Sequence, residues 1–349
     1  MAGISFERWS QRARFHSPLK GGQLDQQEIE VRVDPLTGGQ SIFNAALEEK
    51  SSVLFHPTDM DYLKQLVEAT EPTCFLCNGR WSTTTPSYAE NLLPEGRLIR
   101  GEAVAFPNLF PLAAYHAVIM LGSRHFRTLD EFEPELLRDA FECSREFISR
   151  CSQVDPEIEY FTVNANYLLP SGSSVMHPHF QILGSPRPFT HHRQLIEQSA
   201  SYRARNESCY WVDLVAAEKT SGERWIGEMG GSSWLAAFSP MGVNEINAVW
   251  PEKTNFLEWS SKEVEGLANG LSRVLRAYHD LGFSTFNFSC FSGPVGRKTS
   301  DLRCFLRVIN RQNMALHYRA DDYYLQKLLQ NEIMILRPER LAEIVRRYF

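Results

Sequence analysis

The chain has 349 residues, 43% of them apolar and 22% charged, a balance typical of a soluble globular protein that buries a large core in one big domain or two intimate ones. A net charge of −6 and a pI near 6.0 exclude a general nucleic-acid binder and leave room only for a local basic pocket. No apolar run reaches the roughly 18 residues of a membrane span, and the N-terminal "MAGISFERWSQRARFH" lacks the apolar stretch of an export signal, so a cytoplasmic protein with no membrane partner is expected. In that compartment the seven scattered cysteines read as reduced thiols, with room for one metal-bound pair.

Residues 1–70 read as an irregular extension containing one strand-turn-strand, "RVDPLTGGQSIF" (32–43), whose turn is signalled by Pro35 and Gly38-Gly39. The pattern then settles into a first unit, residues 71–190. "EAVAFP" and "HAVIML" read as strands. Apolar residues at Phe132, Leu136, Leu137, Ala140, Phe141, Phe147 and Ile148 trace one face of a helix, and "IEYFTVNAN" and "MHPHFQIL" follow as strands. Residues 191–232 read as a connector, with turn signals at "SPRP", just before it, and "TSGERW". The same order recurs in residues 233–349. "SWLAAF" and "EINAVW" are strands, Val264, Leu267, Leu271, Val274, Leu275 and Tyr278 mark a helix, and "STFNFSC" and "LRCFLRVI" close the set. A β-β-α-β-β unit present twice predicts an α+β fold of two repeats with antiparallel sheets and flanking helices.

The chemistry concentrates in "SSVMHPHFQILG" (173–184). Strand alternation predicts that His177, His179 and Gln181 share one face. A pair of hydrogen-bonded structural histidines is the plain reading. The Gly-Ser-Ser lead-in, the proline between the histidines, and Asn164 and Asn166 on the preceding strand point beyond it. Serine hydroxyls and backbone N–H groups in such a turn can cradle phosphate oxygens, here Ser173 and Ser174. A neutral imidazole beside that cradle carries a free lone pair suited to attack at phosphorus. In "TCFLCNGR" the Cys74-x-x-Cys77 spacing fits half a metal site, a redox pair or two packed thiols. His125 in "GSRHFRTLDEF" and His177 are the two histidines that would complete a tetrahedral zinc set and brace the strand carrying His179. His191-His192 read as a solvated loop, and His279 as a partner for a helix C-terminus.

Taken together, "DPLTGGQ", "CFLC", "SRHFRTLDEF", Asn166 and "HPHFQ" resemble the galactose-1-phosphate uridylyltransferase family, the transferase branch of the histidine-triad superfamily, from about residue 28 to the C-terminus. The resemblance implies a covalent nucleotidyl-histidine enzyme. His179 would attack the α-phosphorus of a nucleoside diphosphate sugar, and a phosphorylated acceptor would then collect the nucleotide. Gln181 stands where the hydrolases of the superfamily keep a third histidine, which favours transfer over hydrolysis. The resemblance assigns the phosphate to Asn166 and Ser174, the nucleoside to Phe106 and Asn108 in "AFPNLFP", zinc to Cys74, Cys77, His125 and His177, and implies a homodimer. Arg32 is a further candidate phosphate contact, with a solvated arginine as the plainer reading.

The second unit departs from the family. Where relatives carry a second metal motif, it reads "CFSGP" and "RCFLRVI", so no second metal is expected, and Arg303, Phe305 and Arg307 stand where the first unit has His177, His179 and Gln181. "DDYYLQKLLQNE" does not match the family's hexose-binding stretch. Three functions therefore compete: uridylyltransferase-like exchange between nucleotide sugars and sugar phosphates, phosphorolysis of a nucleoside diphosphate sugar by inorganic phosphate, and zinc-stabilised nucleotide binding without turnover.

Overall fold

The structure is a computed structural model describing residues 3–49 and 54–349. Fourteen strands are described among these residues, in two sheets. The smaller sheet has the order β1-β2-β3-β14, made of β1 (Arg8–Ser17), β2 (Gln23–Val33), β3 (Gln40–Asn44) and β14 (Asn331–Met334). The larger is built from β4 (Leu98–Arg100), β5 (Ala103–Pro107), β6 (Tyr115–Leu121), β7 (Tyr160–Tyr167), β8 (His179–Ser185), β9 (Trp225–Met229), β10 (Ser232–Ala236), β11 (Val243–Trp250), β12 (Phe286–Phe291) and β13 (Cys304–Asn310). Its order is β4-β5-β6-β8-β7-β12-β13-β11-β10-β9, and every neighbouring pair is antiparallel. Read outward from the β7–β12 seam, the two halves have the same order of strands. The α+β class, antiparallel sheets and flanking helices follow the expectation. The two units share one ten-stranded sheet, and β14 joins β3 in parallel.

The sheet has two unlike faces. One packs against helices Pro134–Val154 and Ser261–Asp280, which touch each other. The first starts with proline at its N-terminus, where a missing N–H costs nothing, and buries Leu136, Leu137, Ala140, Phe141, Phe147 and Ile148. The second starts with a capping box between Ser260 and Glu263. Gly270 in this helix lies so close to the sheet that a Cβ there would fall 2.2 Å from the Trp234 ring. Each fully buried phenylalanine of this core, Phe141, Phe147, Phe161, Phe180 and Phe286 among them, contributes about 1.5–3 kcal/mol.

The opposite face carries the site. Its first half is covered by the Cys74–Cys77 segment, with Leu76 buried against Val104, Phe106 and Met120. Its second half is covered by helices Thr190–Asn206 and Tyr210–Ser221, formed by the stretch expected to be a connector. Between these covers runs a half-exposed polar strip: Gln181, Asn164, Asn166, Asn287, Ser289 and Arg307. The described residues of the 1–70 stretch are more ordered than the sequence suggested. β1 and β2 form a ten-pair hairpin, and a helix spans Met60–Thr70. No helix of the described residues is long and apolar enough to cross a membrane.

Candidate active site

Four residues from three distant segments converge at the edge of the strip. Cys74 and Cys77 lie in the loop after helix Met60–Thr70. Asn78 and Gly79 follow with φ of 54° and 74°, left-handed positions that suit asparagine and glycine and turn the chain sharply after the second sulfur. His125 comes from the loop after β6, and His177 from the turn before β8. One ligand atom from each of Cys74, Cys77, His125 and His177 lies within 4.8 Å of all the others, and all four residues are buried. Cys77 Sγ stands 3.3 Å from Nδ1 of both His125 and His177, and Cys74 Sγ 3.9 Å from Nδ1 of His177.

The outer hydrogen bonds of the two imidazoles fix their tautomers. His177 Nε2 lies 3.0 Å from the Gly122 carbonyl, which can only accept, so Nε2 carries the proton. His125 Nε2 donates to Thr70 Oγ1 at 2.9 Å, because that hydroxyl already donates to the Leu66 carbonyl at 2.7 Å. Both Nδ1 lone pairs therefore face the sulfurs, as metal ligands require. Burial drives His177 down to about 4 and lowers His125. Burial, then the neighbouring Cys74 sulfur, push the Cys77 thiol up to about 12. Two neutral imidazoles and two sulfurs in this arrangement are a donor set suited to a soft or borderline divalent cation, so the cluster could hold a metal.

β8 begins at His179, two residues later than alternation from His177 implied. Pro178 has no N–H for a ladder, while its carbonyl accepts from Leu121 N at 3.0 Å. His177 thus turns toward the cysteines from outside the strand. His179 Nδ1 donates to the His177 carbonyl at 2.9 Å, leaving Nε2 unprotonated, and burial lowers its pKa. The continuing register sets Asn166 across from His179 and pairs Asn166 with Asn287 of β12. The loop after β7 opens at Leu168, whose φ of 67° and ψ of 167° lie in a region that is nearly glycine-only and costs on the order of 1–3 kcal/mol. Gly172 follows at φ 89°, and a Cβ there would sit 3.9 Å from Asn166 Nδ2.

Gln181 is held by a residue the sequence reading passed over. His116 Nδ1 accepts from Leu112 N at 3.2 Å, so its Nε2–H donates to Gln181 Oε1 at 2.8 Å. The amide NH2 of Gln181 is left to face outward. The available signal was the alternation of "HAVIML", which puts His116 on the face of Val118 and Met120, opposite Gln181 and His179.

Other candidates fall elsewhere. Arg32 is 1% exposed, pairs with Glu30 at 2.6 Å and Glu339 at 2.8 and 3.0 Å, and lies over the Phe238 ring, so its guanidinium is spent inside the structure and not offered to phosphate. Ser173 is buried and its hydroxyl folds back to donate to the Val175 carbonyl at 2.6 Å, whereas Ser174 is exposed. Phe106, 3% exposed, packs with Leu76, Val104 and Met120 and has no open face for a base. Asn108 is half-buried, 3.3 Å from His116 Nε2, and accepts from Phe110 N at 2.9 Å. His191 and His192 belong to a helix. His192 bonds the Ser292 carbonyl at 2.7 Å, and His191 accepts from Arg307 Nη1 at 3.0 Å. All seven cysteines are unpaired and buried.

The second half of the sheet mirrors this construction with different side chains. Arg307 lies opposite Asn247 as Gln181 lies opposite Val118. Two positions earlier on the facing strand, Glu245 comes within 2.8 Å of Arg307, where His116 reaches Gln181. Phe305, two residues before Arg307, stands where His179 stands before Gln181. It is fully buried and stacks on Trp211 with centroids 4.2 Å apart.

No protein-family model matches the chain. An uncharacterized protein of Archaeoglobus fulgidus is 30% identical over 330 residues, 94% of each chain. Among solved structures, an ADP-glucose phosphorylase from Arabidopsis thaliana, determined with bound ADP-glucose, superposes with a TM-score of 0.70 at 18% identity over 91% of this chain and 98% of its own. A GalT-like protein from the same plant gives 0.68 at 17% identity, covering 90% and 98%. A uridylyltransferase gives 0.63 at 15% identity, covering 71% and 85%. At these identities the likeness establishes a common fold.

Proposed function

We propose that this chain, which belongs to one family with the Archaeoglobus fulgidus protein and has the fold of the uridylyltransferase and ADP-glucose phosphorylase structures, is a nucleotidyl-transfer enzyme working through a covalent nucleotidyl-histidine. The observation that carries this reading is the state of His179. Its Nδ1 proton is tied to the His177 carbonyl, so Nε2 presents a lone pair beside Asn166. The four-residue Cys/His cluster braces the turn from which that carbonyl comes.

Nε2 of His179 attacks the α-phosphorus of a nucleoside diphosphate sugar. A P–N bond forms, the P–O bond to the sugar 1-phosphate breaks, and that oxygen leaves with the electron pair. The amide donors of Asn166 and Gln181, with Ser174 at the rim, hold the phosphoryl oxygens. In the second step an oxygen of a phosphorylated acceptor attacks the same phosphorus, the P–N bond breaks, and the pair returns to Nε2. The leaving group is a phosphate, stable as an anion, so no strong general acid is needed, and the amide of Gln181 supplies none. Cys74, Cys77, His125 and His177 hold zinc, which fixes the turn carrying His177. The functional unit is a homodimer.

A hexose 1-phosphate is one acceptor. Inorganic phosphate is the second reading, favoured by the mismatch of "DDYYLQKLLQNE" to the hexose-binding stretch. One experiment separates them. The protein is incubated with α-labelled ADP-glucose, UDP-glucose or a GDP-sugar and examined for acid-labile, base-stable label. Phosphate or hexose 1-phosphate is then added to see which discharges it. Label at His179 discharged by an acceptor supports the reading. Saturable binding with no covalent label assigns the chain to nucleotide binding instead.

A further inference from the structure

The half of the sheet without a nucleophile contributes to the reactive half across the β7–β12 seam. Asn287 on β12 pairs in register with Asn166 on β7. Its Oδ1 accepts from Arg311 Nη1 at 2.9 Å, and Arg311 is anchored by Asp321 at 2.5 and 2.9 Å. A guanidinium can only donate, so the oxygen of Asn287 must face it and the NH2 group must face the other way. There Nδ2 meets two groups, Asn166 Oδ1 at 2.6 Å and the Ser171 carbonyl at 2.9 Å, with the Ala165 carbonyl further off at 3.3 Å. The Ser171 carbonyl can only accept, which fixes the same orientation independently.

The chain of donors dictates the Asn166 amide. With Oδ1 taken by Asn287, Asn166 keeps its NH2 group free on the other side, and that group points toward Gly172 at the head of the Gly-Ser-Ser turn. An Asn166 turned the other way would set its NH2 against that of Asn287 and present an oxygen to an incoming phosphate. The geometry points to Asn287 as a positioning residue: from the second repeat it aims the amide of Asn166 and holds the Ser171 carbonyl, so that a donor and the phosphate-facing turn are preset together beside His179. This rests on the nucleotidyl-transfer reading above. It makes the ordered series Asp321, Arg311, Asn287 and Asn166 part of the site, although three of its four members lie beyond residue 280, far from the HPH motif in sequence.

The test measures the rate of covalent label transfer from α-labelled ADP-glucose and UDP-glucose to the intact protein. Asn287→Ala should slow labelling about ten- to hundredfold, the scale of one misaligned donor at a developing charge. The KM for the nucleotide sugar should move by less than about threefold, because the donor is aimed at the transition state and not at the base or sugar. Asn287→Asp matches the native side chain in shape and keeps an oxygen for Arg311, but it turns an acceptor toward Asn166. It should slow labelling at least as much with metal content at the wild-type value and, because the contact to Arg311 is kept, with a smaller loss of melting temperature than Asn287→Ala, so the test holds even where Asn287→Ala folds poorly. The double variant Asn166→Ala/Asn287→Ala should be slowed by less than the product of the two single effects, because the effect of Asn287 on the donor runs through Asn166. Wild-type labelling rates in Asn287→Asp, or full additivity in the double variant, overturn the inference and leave the functional reading intact. A wild-type protein that labels with no nucleotide sugar overturns both.

Discussion

The two halves of the ten-stranded sheet have the same strand order about the β7–β12 seam and a long helix each beneath, yet they treat one position on the second strand from the seam, β8 or β13, in opposite ways. In the first half His179 ends on a lone pair at the edge of a half-exposed strip, braced by the Cys/His cluster. In the second, Phe305 fills the place and is sealed beneath Trp211 and helix Tyr210–Ser221. Each half also locks the residue two positions on, by His116–Gln181 in one and Glu245–Arg307 in the other. The backbone scaffold tolerates either outcome, because the helix-facing side chains that hold the sheet together alternate with those that would do chemistry. Substitutions on one face of such a unit can thus replace polar side chains by a cover without disturbing its core.

The contrast can be broken most severely at the proposed nucleophile. His179→Ala should abolish covalent labelling and lower exchange by several powers of ten, upward of about 4 kcal/mol in barrier, with metal content and fold unchanged. Phe305→His should gain no label, because Trp211 still covers the position. Label at residue 305 of the second variant, or any label on the first, would erase the distinction between the halves. The metal cluster comes next. Cys77→Ser should lose bound metal, measured by elemental analysis, and lower unfolding free energy in urea by on the order of 4 kcal/mol. The second half, which has Phe305 where the first has a histidine, should be indifferent to chelators in hydrogen exchange while the first half loses protection.

The cover of the second half gives a third effect. Trp211→Ala should cost about 3–5 kcal/mol of stability, the range for truncating a buried aromatic, while the labelling rate of the folded protein stays at the wild-type value. A fall in labelling with unchanged stability would show that the cover serves the reaction. The smallest effect is a pH response tied to β14, which touches β11 of the second half. Burial raises Glu332 to about 7, partly offset by the Ile333 N–H and Gln326. Between about 4.5 and 7 the folded chain holds a proton that the unfolded chain has released, so stability should fall as pH rises through that window. Glu332→Gln should remove the decline, gaining up to about 3 kcal/mol at pH 8 and nothing at pH 4, as read from urea midpoints.

Much of this organisation was legible in local pattern. The helices Pro134–Val154 and Ser261–Asp280 announce themselves by apolar spacing, and the inner strands by alternation and composition. Cys74, Cys77, His125 and His177 were identified because metal ligation constrains residue type tightly. What escaped depends on partners distant in the chain or on the absence of a buried face. β1, "RWSQRARFHS", is exposed on both sides and so gives no hydrophobic period. Arg32 meets Glu339 307 residues later, a pairing no local pattern encodes. His116 looks like one polar residue in an apolar strand until β6 and β8 are placed side by side. His191 and His192 sit in a polar stretch that reads as loop, yet their helix packs on the sheet through Leu195 and Tyr202. Ser173 was the right residue type in the right turn, but its hydroxyl found a carbonyl two residues away.

The Cys/His cluster has a consequence for how the chain reaches this fold. Its contacts join residues separated by 48, 100 and 103 positions. Closing a loop of about 100 residues costs a flexible chain roughly 4 kcal/mol of entropy, and the cysteine pair cannot meet either histidine until the loops between them have closed. The cluster is therefore expected to assemble late, after β6 and β8 have paired, and a bound ion would act on the finished fold as a cross-link that keeps those loops from reopening. Removing it would release the segment from the end of helix Met60–Thr70 to the start of β4 as one unit, and with it the support of the turn beneath His179, while the sheet and its two long helices stay folded.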